Sequence, residues 1–247
     1  RATIAREKAG IFRQGKPAVS SDPDPVDSLR AAAADRDAHW YGLGEQFHYV
    51  AHDGGWDWCA PGIRLEGLPL PALPGRHQLD NAAGVLMVLD TLRSRLTVDR
   101  APLEAGLRDI RLPGRCEFLP GAPERVLDVS HNPHGARALA AALRQRPAHG
   151  ATRAVLGMLQ TKDVAAYTAE LAPVVDAWYL AGLGLPSGHD AEGLRERLAG
   201  AVDPLQLACF PDVAAAIAQA VQASAARDRI VVCGSFHTVA EAMAGAV

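Results

Sequence analysis

From residue 125 onward, short runs of β-branched and aliphatic residues alternate with Ala- and Leu-rich stretches at a regular spacing. The runs at 125–130, 153–159, 177–183, 205–210 and 229–235 predict strands, and the stretches at 134–145, 163–174, 191–199, 213–224 and 239–246 predict helices. Strands that are apolar almost throughout, rather than at every second residue, are covered on both faces. Separated by helices, they predict a mostly parallel sheet in a doubly wound α/β domain.

The first hundred residues follow another pattern. Residues 16–20 predict a short strand and 27–36 a helix with Asp27 near its N-cap. An aromatic-rich stretch over 39–59 alternates weakly around Asp53-Gly54-Gly55, a turn sequence that accepts positive φ, and predicts two strands meeting in a hairpin. Pro69, Pro71 and Pro74 mark an extended connector, and helices are predicted over 79–96 and 101–110. The break at Leu112-Pro113-Gly114 is the expected domain boundary.

Composition narrows the function. The 247 residues are 49% hydrophobic and 21% charged, as in an ordinary globular protein. With 25 Lys plus Arg against 28 Asp plus Glu, no basic excess marks a nucleic-acid partner. The apolar runs fall far short of the roughly 20 residues that cross a bilayer. Residues 1–15 carry Arg1, Arg6, Lys8 and Arg13 but no continuous apolar run, unlike a secretory signal, so a cytoplasmic location is expected. Cys59, Cys116, Cys209 and Cys233 are widely spaced, which argues against a zinc ribbon or a disulfide framework. The sequence opens on Arg1 within what reads as a helix, so a fragment lacking its N-terminal part is expected.

Chemistry-bearing residues collect at predicted strand ends. Gly10 to Lys16 matches most of a P-loop, but Pro17 replaces the magnesium-binding hydroxyl, and the preceding segment reads as helix where a P-loop needs a strand. Asp128-Val129-Ser130-His131-Asn132-Pro133 reads as strand end, turn and helix start, with Asn132 as N-cap and Pro133 as the first helical residue. Asp128 and His131 would then lie at the carboxyl end of a parallel strand, where ligands of open α/β sheets bind. A turn-capping Asp128 and a solvated His131 are equally compatible with these residues. Gly157 to Asp163 and Cys233 to Thr238 have the same layout. Ser235 and His237, two apart at a helix start, do not face each other as nucleophile and base would; Ser235 fits hydrogen bonding to a substrate. Lys162 could meet a phosphate, although solvation is commoner for such a lysine. Asn81 could cap a helix or read a base edge, capping being the commoner use. Arg115 at the boundary could bridge to a phosphate.

In this order, the segments 4–12 with 15–17, His77-Gln78 with Asn81-Ala82, Leu112 to Arg115, Asp128 to Pro133 and Val232 to Thr238 resemble the folylpolyglutamate synthase and dihydrofolate synthase family, a branch of the Mur ligases. The resemblance implies that 1–111 is the C-terminal portion of a Mur-ligase-type central ATPase domain and 112–247 the Rossmann-like C-terminal domain. The family's P-loop, principal magnesium ligands and most of its pterin-binding loop would precede Arg1, so this chain by itself is expected to be inactive.

The implied reaction is ATP-dependent addition of L-glutamate to dihydropteroate and/or tetrahydrofolate through an acyl phosphate. By the same resemblance, Asn81, Arg115 and Asp128 match ATP contacts, and His131 and Ser235 match positions near the incoming glutamate. Lys8 matches a catalytic lysine that is carbamylated and helps hold the second of two Mg2+ ions. Domain closure would position the acyl phosphate and amine and expel water. The expected partners are these small molecules, with no nucleic acid and no membrane, and a monomer is expected. A single-function folylpolyglutamate synthase, a non-catalytic α/β nucleotide-binding module and a cell-wall amino-acid ligase are the alternatives.

Overall fold

The computed structural model describes residues 2–200 and 202–245. The chain divides into two compact units, Arg1–Arg111 and Leu112–Val247.

In the first unit, α1 (Ala2–Lys8) tightens into a 3-10 turn at Ala9–Ile11. Strands β1 (Pro17–Ser20) and β2 (His39–Gly42) pair in parallel, joined by α2 (Asp27–Ala34). Asp27 is the first helical residue rather than the cap; Val26 occupies the cap position without a side-chain bond. The stretch matching a P-loop is therefore entered from a helix and left by a strand, the reverse of what a P-loop needs.

Three antiparallel strands follow, β3 (His48–His52), β4 (Gly55–Ala60) and β5 (Ile63–Leu68). The β3–β4 hairpin turns at Asp53-Gly54, where Gly54 has φ +82°. The sequence pattern missed β5. Its register slips between Trp56 and Trp58, and Gly67 (φ +62°) breaks the alternation begun by Ile63 and Leu65. The Asp57 carboxylate accepts the Gly67 amide at 2.8 Å, and this bond holds its pKa below the usual carboxylate value.

Helix α3 (His77–Leu92) seals the sheet with Leu79, Ala82, Ala83, Leu86 and Met87 against Phe47, Trp56, Trp58 and Leu68. The helix stops at Leu92, short of the predicted residue 96. A last helix, α4 (Arg100–Asp109), completes the unit.

The second unit contains a six-stranded sheet. In chain order its elements are β6 (Glu117–Leu119), β7 (Glu124–Asp128), α5 (Pro133–Gln145), β8 (Thr152–Leu156), α6 (Val164–Leu171), β9 (Ala177–Ala181), α7 (Ala191–Leu198), β10 (Leu207–Phe210), α8 (Val213–Gln222), β11 (Arg229–Cys233) and α9 (Phe236–Ala244). The spatial order is β10-β9-β8-β11-β7-β6, parallel throughout except for the short edge strand β6.

Alternate strand residues serve opposite faces. Val126, Leu156, Leu180 and Val231 pack with α5, α6 and α7 through Leu139, Tyr167 and Leu194. Leu127, Val155, Tyr179 and Val232 pack with α8 and α9 through Val213, Ala216 and Val239. This is the expected α/β architecture.

All five strands predicted for this unit are shorter than the sequence pattern gives them, and at two the physical reason is plain. Met158 is fully buried but lies beyond β8, so its apolar character reports a packed loop. Strand β11 ends at Cys233 because Gly234 turns to φ +104°. The final helix starts three residues earlier than predicted, capped by Ser235; the predicted end at residue 246 lies outside the described residues.

At the amino ends of the strands, ion pairs close the sheet. Arg153 meets Asp228 at 2.6 Å, and Arg229 meets Glu124 at 2.7 Å. At the carboxyl ends lie Asp128 and, just past β11, Ser235.

Candidate active site

Asp128 terminates β7 and is only 7% exposed. One carboxylate oxygen accepts the Cys116 amide at 2.8 Å and the other the Ser130 amide at 2.8 Å. Asp128 thus ties the turn after β7 to the loop before β6. A second bond, from the Val129 amide to the Gly114 carbonyl at 2.8 Å, runs beside it. Gly114 has φ +69°, and a β-carbon there would approach Val129 and Val239 at 2.9 Å, so glycine is needed for this closeness.

That loop carries Arg115, whose guanidinium lies 5.6 Å from the centroid of the Phe236 ring. His131 flanks the same ring at 6.2 Å and 46°. Its Nδ1 lies 3.0 Å from the Val129 carbonyl. A carbonyl only accepts, so Nδ1 carries the proton and a neutral His131 leaves Nε2 as an acceptor. Asn132 caps α5 through the Gly135 amide at 2.9 Å, with Pro133 first in the helix, as the sequence predicts.

Ser235 is 3% exposed. Thr238 donates its hydroxyl to the Gly157 carbonyl at 2.7 Å, so the 2.6 Å contact between the Ser235 and Thr238 hydroxyls has Ser235 as donor. Ser235 also accepts the Thr238 amide at 3.0 Å, capping α9. Its proton is committed within the protein, and a ligand would meet it as an acceptor.

Arg115, Asp128, His131 and Ser235 therefore meet at one end of the second unit's sheet. Sequence reasoning passed over three supporting residues: Phe236, Cys116 and Tyr167, whose phenol lies 3.0 Å from the Ser130 hydroxyl. The only signal for Phe236 was an aromatic at a helix start within the segment Gly234 to Thr238.

Lys8 and Asn81 belong to the first unit. Lys8, at the end of α1, has a side chain 73% exposed and its ammonium 3.6 Å from Glu7. Asn81 is exposed within α3, one turn past its start, and donates to the Gln78 side chain at 3.1 Å. It is not a cap.

Among the described residues, no group of three or more His, Cys, Asp or Glu side chains is arranged to hold a metal ion. Magnesium takes six oxygen ligands. Water and phosphate usually fill most of that shell, so a Lys8 carbamate could supply one of its oxygen ligands.

The thiols at the site are not nucleophiles. Burial, reinforced by the Asp128 charge, pushes Cys116 up to about 12, and burial pushes Cys233 up to about 12 as well. At pH 8 such a thiol is only about one part in ten thousand thiolate. Iodoacetamide at pH 8 is therefore expected to label half-buried Cys59 before Cys116 or Cys233, as followed by peptide mass spectrometry. Faster labelling of Cys116 would overturn this ordering.

Residues 114–236 match the family model for the Mur ligase, glutamate ligase domain. The Escherichia coli dihydrofolate synthase/folylpolyglutamate synthase is 38% identical over 243 residues, which are 98% of this chain and 55% of that protein. The solved structure of E. coli FolC in complex with DHPP and ADP superposes with a TM-score of 0.88 at 37% identity, over 99% of this chain and 56% of that one. A bifunctional folylpolyglutamate synthase/dihydrofolate synthase with Mn, AMPPNP and L-glutamate bound gives a TM-score of 0.88 at 40% identity, over 99% of this chain and 57% of that one. The chain thus spans little more than half the length of these relatives. With its fold, its strand-end residues and these likenesses in agreement, the chain belongs to the dihydrofolate synthase/folylpolyglutamate synthase family of the Mur ligases.

Proposed function

We propose that this chain is part of an ATP-dependent ligase that joins L-glutamate to dihydropteroate, tetrahydrofolate or both through an acyl phosphate. The observation that carries the reading is the meeting of Arg115, Asp128 and His131 at the strand ends of the segment that matches a glutamate ligase domain. The ligands named for the relatives, a nucleotide and glutamate among them, agree with it.

The roles are those the family likeness implies, and the geometry of the second unit is compatible with them. Asp128, fixed by two amides, keeps further lone pairs for a nucleotide hydroxyl. Arg115 offers a cation to phosphate. Ligation releases a proton as the amine of glutamate attacks the acyl phosphate, forming the amide and freeing phosphate. His131 Nε2 is the acceptor for that proton, and Ser235 orients the amino acid. In the first unit, Asn81 matches the adenine side. Exposed Lys8 is open to carbamylation, which would replace a cation with an oxygen donor suited to magnesium. A monomeric, cytoplasmic enzyme completes the reading.

The test is a chimera in which this chain replaces the matching region of the E. coli relative. Phosphate release is expected to require ATP, a pteroate or folate and glutamate together. In that chimera, Arg115→Ala should raise the KM for ATP about ten-fold, the scale of a lost charge-assisted hydrogen bond. Turnover with muramyl peptides in place of pteroates would move the protein to the cell-wall ligases. Tight ATP binding by the 247-residue chain alone, with an inactive chimera, would favour a nucleotide-binding module.

A further inference from the structure

We infer that Phe236 is a positioning residue that aims Arg115 and His131 at the ligand. The inference rests on the functional reading above, and it begins from an oddity: a phenylalanine 54% exposed at the first turn of α9. Its backbone has little freedom. Gly234 is pressed against the Gly157 carbonyl, where a β-carbon would sit 2.7 Å away, while Ser235 and Thr238 are bonded to each other and Thr238 to the Gly157 carbonyl. The ring therefore projects from a rigid base.

Two functional side chains lean on it. The Arg115 guanidinium stands 5.6 Å from the ring centroid, within cation–π range. Among the described residues, no carboxylate lies within ion-pair distance of Arg115. That choice of partner has a chemical consequence. A carboxylate would hold the guanidinium but cancel the charge a phosphate needs, whereas an aromatic face orients the cation and leaves its N–H donors unoccupied.

His131 rests against the same ring at 6.2 Å while Nδ1 is anchored on the Val129 carbonyl. One contact fixes the tautomer and the other limits the ring's tilt, so Nε2 keeps one direction. A single side chain from the last helix thus sets two groups that lie more than a hundred positions earlier in the sequence.

The chimera tests this with Phe236→Leu, which keeps apolar bulk but removes the aromatic face, and Phe236→Tyr, which keeps it. For Phe236→Leu the KM values for ATP and glutamate should each rise about five-fold, within the span of measured cation–π contributions, while Phe236→Tyr stays within about two-fold of the parent. In an Arg115→Ala background, Phe236→Leu should add less than about two-fold to the KM for ATP, because the pair acts as a unit. A five-fold effect that persists there would overturn the positioning role. If Arg115→Ala matters and Phe236→Leu does not, this inference fails while the functional reading stands; if Arg115→Ala itself has no effect, the functional reading fails. Independently of any variant, NMR of the 247-residue chain should show nuclear Overhauser contacts between the His131 and Phe236 rings, and their absence would sink the proposal.

Discussion

Asp128→Asn is expected to destabilise the C-terminal unit by about 2–4 kcal/mol, although the substitution changes one atom, because a buried donor left facing another donor is costly. Both Asp128 oxygens accept backbone N–H groups, from Cys116 and from Ser130. An asparagine has one acceptor oxygen for two donors, so its amide nitrogen must confront an N–H. The loop before β6 and the turn after β7 then lose a shared anchor, displacing Arg115 and His131 together. Turnover of the chimera should fall by about two orders of magnitude, as expected when reacting groups are misplaced by an ångström. Hydrogen exchange at β7 and β11 amides measures the stability part within one unit, which avoids treating a two-unit chain as a single transition. Exchange protection and turnover both within two-fold of the parent would show that the carboxylate is not the anchor described.

Gly234→Ala should be more damaging still. The residue has φ +104°, and an added β-carbon would lie 2.7 Å from the Gly157 carbonyl, 2.7 Å from Leu156 and 2.8 Å from Met158. Backbone strain of about 1–3 kcal/mol and overpacking of a similar size combine to about 2–6 kcal/mol. One of the three obstacles is backbone and the others are packed core, so the clash cannot be relieved by rotating a surface side chain. Amides across β8, β11 and β7 should lose protection together. Gly184→Ala is the control: nothing lies within 4 Å of the added carbon, and the change should stay within about 0.5 kcal/mol. Equal exchange rates for the two variants would rule out the close approach at Gly234.

The fold of the second unit was legible because its central strands are buried on both faces, which leaves an unbroken apolar run that few other structures produce. The same feature blurred their ends, since Met158 is as buried as any strand residue yet lies in a loop. Strands β5 and β6 escaped notice for local reasons: a bulge at Gly67 interrupts one, and the other is a three-residue edge. Of the site, Asp128 and His131 could be placed from the strand-turn-cap pattern alone, because Asn132-Pro133 marks a helix start. For Arg115, Ser235 and Asn81 the local sequence allowed a binding role without requiring it, and family likeness made it specific; Lys8 gained its role from the likeness alone. Phe236 could not have been paired with Arg115, since no local periodicity links residues so far apart along the chain.

The position of β11 has a bearing on biosynthesis. This strand is the last of the sheet to be translated, yet it lies at the centre, paired over five residues with β7 on one side and five with β8 on the other. On the ribosome, β7 and β8 must wait with a vacant slot between them, their apolar edges open to solvent or to chaperones. A stop codon just ahead of Arg229 would therefore delete the keystone, leaving two half-sheets with no partner rather than a slightly smaller domain.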